Sequence, residues 1–243
     1  VPAKWTAVMV SVLVLIFSSG CSLALKQQLN GEWDLKEDNK IEKNGQKRAT
    51  DITDEKRDED EKEDPLHDTD DDDDGFDTDS YLNGNELMVS KLSVKTDERD
   101  WTEAGSDSET QDDYKIEVTT LTVDGEDADY ADEVIVVQRF EGLEHDMTTK
   151  QLAQSMMDNF KKGYTGTSNW SIIEQKHNDI LTELSVKDDP KVGSLFGYAR
   201  FMTTDNGIYG LFYLINKEEL STEEEEKWQY LLKQANSESG ITL

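Results

Sequence analysis

Residues 51–79 contain 17 Asp and Glu side chains against three basic ones, Lys56, Arg57 and Lys62, a local net charge of −14. Between Asn30 and Phe76 the only strongly apolar residues are Trp33, Leu35, Ile41, Ile52 and Leu66. Ordering a backbone costs roughly 1–2 kcal/mol per residue, and five scattered side chains cannot bury enough surface to offset that over such a length. This stretch is therefore expected to be a disordered, self-repelling, extended linker. It removes a large part of the 243 residues from any core and explains why the hydrophobic fraction is only 35%. Residues 80–243 carry a further −18 within the total of −30. That balance excludes an electrostatic grip on nucleic acid, because phosphates are held by clustered Lys and Arg.

Upstream of the linker, Lys4 precedes an apolar run over residues 5–17, followed by Ser18, Ser19, Gly20 and Cys21. Thirteen residues at about 1.5 Å each span roughly 20 Å as a helix, short of the ~30 Å hydrocarbon core. That is the length of a signal-peptide apolar region; the alternative on the residues alone is an uncleaved signal anchor with an incidental cysteine. Cys21 is the only cysteine in the sequence, so no disulfide forms within the chain. A small-residue sequence ending Gly20-Cys21 behind such a run resembles a bacterial lipoprotein signal. The resemblance implies a signal peptide over residues 1–20, lipidation of Cys21, and attachment to a membrane of the cell envelope. Ser22 is not the Asp that retains many such lipoproteins at the inner membrane, which turns the expectation toward the outer membrane or cell surface. Several acyl chains, at about 0.8 kcal/mol per buried CH2, anchor a protein almost permanently.

Periodicity begins after residue 85. A strand is expected over residues 87–94. Tyr114, Ile116 and Val118 alternate with Lys115, Glu117 and Thr119 in a second, and residues 134–140 form another. Thr148 and Gln151 make a capping box ahead of Leu152, Met156 and Phe160, one apolar residue per turn, so a helix is expected over residues 149–162 with Gly163 as its stop. Strands follow over residues 170–175, 180–187 and 194–202. Asn206-Gly207 then marks a hairpin in which both residues accept positive φ. Residues 208–215, IYGLFYLI, are apolar on both faces, so this strand belongs at the centre of a sheet covered on both sides. Ser221 and Glu224 repeat the capping box, and Trp228, Leu231, Leu232 and Ala235 form the stripe of a final helix.

The expected fold class is α+β, an antiparallel sheet flanked by helices, preceded by the signal segment and the acidic linker. The domains are residues 1–20, 21–80 and 81–243. The element order over roughly residues 85–236 resembles the PsbP-like family, whose fold occurs in bacterial envelope lipoproteins of unassigned role.

Chemistry-bearing patterns are few. Asp70, Asp72, Asp74 and Gly75 match positions 1, 3, 5 and 6 of a calcium loop, in which alternate carboxylates converge on Ca2+ and glycine makes the turn. Position 12, where a bidentate Glu belongs, is Tyr81, and a run of five aspartates also reads as a solvated linker. His67, His145 and His177 lack a second ligand at metal spacing and read as surface histidines. GxSxG, P-loop and GxGxxG patterns do not occur. Trp101, Trp170, Trp228, Tyr198, Tyr209 and Tyr213 read as core and rim aromatics, with an aromatic-lined groove as the alternative.

These residues lead to a membrane-anchored envelope lipoprotein without an enzymatic role. Its domain would bind an envelope protein or peptide, with no nucleic acid and no cofactor. The alternative is a module responsive to Ca2+ through residues 70–79.

Overall fold

The computed structural model describes residues 84–111 and 113–237. Two short strands open this region, β1 (Glu86–Val89) and β2 (Leu92–Lys95), followed by β3 (Trp101–Gln111), β4 (Tyr114–Val123) and β5 (Glu133–Glu141). A 3-10 turn, Leu143–His145, leads into α1 (Thr149–Gly163). Four strands follow, β6 (Thr167–Lys176), β7 (Asp179–Asp189), β8 (Gly193–Thr204) and β9 (Gly207–Ile215), and then α2 (Thr222–Gln234) and β10 (Asn236–Ser237).

The main sheet has seven strands in the order β3-β4-β5-β9-β8-β7-β6, all antiparallel. It is built from two meanders. Helix α1 carries the chain from β5 across one face to the far edge, and β6 to β9 then step back until β9 pairs with β5. The expected α+β class, an antiparallel sheet flanked by helices, is the observed one. A second sheet, β1-β2-β10, has three strands.

Strand alternation divides the core in two. Val134, Val136, Ile208, Phe212 and Leu214 lie in one buried cluster with Leu152, Met156 and Phe160 of α1. Ile135, Val137, Tyr209, Leu211 and Tyr213 lie in the other with Trp228, Leu231 and Leu232 of α2 and Leu92 and Val94 of β2. Successive residues of a strand point to opposite faces, so α1 covers one face and α2 with the small sheet covers the other. Every residue of β9 is buried, as its double-sided apolar sequence predicts. The Tyr209 hydroxyl donates to the Ser90 carbonyl at 2.7 Å and ties the small sheet to the centre of the large one.

Both helices begin where their capping boxes put them: Thr148 with Gln151, and Ser221 with Glu224, each with both reciprocal bonds present. Three local expectations are corrected. Residues 87–94 are not one strand but the two arms of a hairpin, because Ser90 and Lys91 adopt φ of 48° and 69° and turn the chain back. At the β8–β9 turn only Gly207 has positive φ, 117°, while Asn206 does not. A side chain on Gly207 would also meet the Phe140 carbonyl oxygen at 2.5 Å, so glycine is required twice over. Gly163 is the last helical residue of α1, and the chain leaves through Tyr164 in an extended conformation. Strand β3 has no counterpart among the expected elements. Residues 103–110 of it are exposed, so neither face carries the alternation that marks a half-buried strand.

Candidate functional site

Of the residues singled out by chemistry, Cys21, Asp70, Asp72, Asp74 and His67 lie outside the described residues. His145 and His177 are on the surface, as expected, with His145 3.7 Å from Glu144. Among the described residues no group of three or more His, Cys, Asp or Glu is placed to hold a metal ion. Trp101, Trp170, Trp228, Tyr198, Tyr209 and Tyr213 are all buried. The packing reading holds for all six.

The densest polar constellation joins the segment before β3 to β5, β9 and α2. Arg99 grips Glu133 with two bonds of 2.6 Å and reaches Asp97 through Nε at 2.9 Å. Asp97 also accepts from the Trp101 indole at 2.8 Å and from Lys227 at 3.1 Å. The Tyr213 hydroxyl donates to Glu133 at 2.7 Å. Trp228 stacks on Tyr213 with ring centroids 3.7 Å apart and meets Trp101 edge-on at 5.7 Å. The charge states follow from these contacts. Burial alone pushes the Asp97 carboxyl up, but the bonds from Arg99, Trp101 and Lys227 outweigh it and hold the group below the ordinary range. Hydrogen bonding to Glu133 raises Arg99 further above its already high value. Burial pushes the Tyr213 phenol far up, so it stays a donor. Each polar group is spent on a neighbour. The arrangement is an ionic clamp that fastens residues 97–101 and α2 onto the sheet, and its bidentate, partly buried geometry is the kind that contributes measurably.

Two further arginines are equally committed. Arg139 bonds Glu117 at 3.0 Å and the Asn206 carbonyl at 2.8 Å. Arg200, with a side chain 3% exposed, takes Asp179 in two bonds of 2.9 and 2.8 Å. It also donates to the carbonyls of Leu232, Lys233 and Ala235 at 2.8, 3.0 and 2.7 Å, closing the C-terminal end of α2.

What the domain leaves open is an edge. The exposed large apolar side chains among the described residues are Met88, Tyr130, Ile172 and Ile173. The two isoleucines are adjacent on β6, the last strand of the main sheet, where a bulge between Ile172 and Glu174 shifts the register against β7. From Thr167 to Ile173 this strand has no charged residue. Beyond the bulge, Glu174 is paired with Lys176 at 2.8 Å and Lys233 at 2.7 Å. The opposite edge, β3, presents exposed Glu103, Asp107 and Glu109, the charge with which sheets block unwanted pairing. The β6 edge, whose uncharged run ends in two exposed isoleucines, is therefore the candidate functional site. Sequence reasoning placed β6 correctly but took its isoleucines as ordinary strand residues. The signal was the Ile-Ile doublet, which breaks period-two alternation and marks the bulge.

Fold and surface together define an antiparallel α+β domain whose β6 edge pairs with no further strand among the described residues. No family model matches the chain, and no curated protein matches it either.

Proposed function

We propose that this protein is a cell-envelope lipoprotein, anchored through Cys21, whose α+β domain is a non-catalytic binding or accessory module for another envelope component. The observation that carries the reading is Gly20-Cys21 directly after the apolar run of residues 5–17, with no other cysteine in the sequence to give that thiol a structural partner. The acidic stretch supports it. A flexible segment of some 60 residues has a root-mean-square reach on the order of 40 Å, and more when charged, which holds a domain clear of lipid headgroups. The strong negative charge weakens attraction to anionic lipid, so attachment rests on the acyl chains. Within the domain, the clamped charges and the open β6 edge fit a role in association. The element order, similar to that of the PsbP-like family, agrees with an accessory role.

The test is metabolic labelling with palmitate in a bacterial host that processes lipoproteins. Label is expected in the wild-type protein and in its membrane fraction, and is expected to vanish in Cys21→Ser. Label in both proteins, or in neither, removes the anchor and with it the proposal.

A further inference from the structure

Two edges bound the main sheet, and they differ in a way that determines what each can meet. Edge strands expose unpaired N–H and C=O groups and invite another strand unless charge, proline or a bulge blocks it. On β3, three exposed carboxylates do the blocking. On β6, the run Thr167–Ser168–Asn169–Trp170–Ser171–Ile172 pairs with β7 in unbroken register and is uncharged and free of proline. Its bulge comes only after Ile172, and Ile172 and Ile173 stand 45% and 40% exposed at its end.

The charge of the domain is divided along the same axis. Residues 84–149, which form β1 to β5, hold 19 acids and five bases, a net of −14. Residues 150–191, which run from α1 through β6 and β7 to the turn before β8, hold six acids and six lysines. A body carrying this much negative charge repels its own copies over most of its surface. The β6 end is where a second copy can approach without meeting a surplus of like charge.

We propose that two copies of this chain associate through antiparallel pairing of their β6 edges over Ser168–Ile172, joining two seven-stranded sheets into one. A two-fold axis perpendicular to the sheet at Trp170 sets Trp170 opposite its own counterpart, Ser168 of one copy opposite Ile172 of the other and Asn169 opposite Ser171, so that paired side chains share a face. No charged residues oppose each other in that register. The ladder satisfies the open backbone groups, and each Ile172 is covered against the other copy's strand, which is how strand addition derives its affinity. A closed two-fold contact of this kind consumes both free edges and stops at the dimer. The inference does not depend on the lipid anchor.

The experiment is sedimentation equilibrium of the full chain in detergent over a wide concentration range, alongside hydrogen exchange of the β6 amides. The wild-type protein should double in mass with concentration, and the amides of residues 168–172 should gain protection as it does. Added salt should strengthen the dimer, because it screens the repulsion between the acidic halves at separations beyond a Debye length of about 10 Å. Ile172→Lys places a charge on a half-exposed side chain and should weaken association by more than about tenfold, while leaving near-ultraviolet circular dichroism unchanged. Glu103→Lys, on the opposite edge, should leave the dimer as it was. A mass of one chain at every concentration, or a dimer that survives Ile172→Lys, overturns the proposal. So does β6 exchange as fast as that of β3.

Discussion

The Asp189 carboxylate, 4% exposed, gathers two chain segments around itself. Oδ1 accepts from the N–H groups of Lys191 and Val192 at 2.9 and 3.2 Å, and Oδ2 from those of Thr165 and Gly166 at 2.8 and 3.2 Å. The Thr165 hydroxyl adds a further bond at 3.1 Å. Burial pushes this carboxyl up, but the donors from Lys191, Thr165, Gly166 and Val192 outweigh it and hold its pKa at about 2, below the ordinary 3.8. A depressed folded pKa means the unfolded chain takes up the proton first. The stabilisation is therefore complete above pH 4 and is lost as pH falls from about 4 to about 2. Asp189→Asn replaces an acceptor of several N–H groups by a side chain that must turn an NH2 toward them. It is expected to cost about 2 kcal/mol in urea unfolding at neutral pH, with the gap between the two proteins closing in acid. In the sequence Asp188-Asp189-Pro190 reads only as turn composition. The partners 24 residues away belong to the loop after α1, and nothing local announces them.

At the scale of elements, legibility follows where the stabilising contacts lie along the chain. Helices α1 and α2 were readable because a capping box and an apolar stripe are contained within a few consecutive turns. Strands β4, β5 and β7 to β9 were readable because one or both of their faces are buried, and β6 was readable from its Trp-Ser-Ile-Ile run although only Trp170 of it is buried. Strand β3 was not, since it pairs with β4 alone and its side chains from Glu103 to Thr110 face water. The β1–β2 hairpin was missed because Ser90-Lys91 is not a sequence that favours positive φ; packing of Val89, Leu92 and Val94 on the sheet compels it. The two ends of α2 make the same contrast measurable. Ser221→Ala removes a local cap, visible in the sequence, and should cost about 1 kcal/mol. Arg200→Ala removes the closure of the other end, which comes from β8, 32 to 35 residues earlier in the chain. It leaves Asp179 and three carbonyls without their partner, and should cost about 3 kcal/mol or more. Chemical denaturation of the two variants side by side tests the order: an equal loss in both would mean that the arginine closure contributes no more than an ordinary cap.

For the whole molecule the deciding quantity is charge and its distribution. Residues 80–243 carry −18, and the ion pairs described above absorb only part of it. The remaining repulsion opposes compaction. Raising ionic strength from a few millimolar to about 0.15 M, where the Debye length is about 8 Å, should raise the thermal midpoint of the domain. A midpoint that falls with salt would mean the paired charges outweigh the repelling ones. The same distribution leaves one end of the sheet with balanced charge and an uncharged run along β6, and that asymmetry, more than any single residue, is what the proposed β6 contact rests on.

By itself the sequence determined the α+β class, the two helices with their starts, the central place of residues 208–215, and the scarcity of apolar residues between Asn30 and Phe76. Each of these depends on the order of residues within a short window, where periodicity and capping act. Only the tertiary structure decided that β5 and β9 meet at the centre, that Arg99, Glu133, Tyr213 and Lys227 form one clamp, and that Ile172 and Ile173 stand at an open edge. Those outcomes depend on which strands become neighbours. Neighbours are chosen by packing over separations of 34 to 130 residues, at which the local pattern of a sequence carries no information.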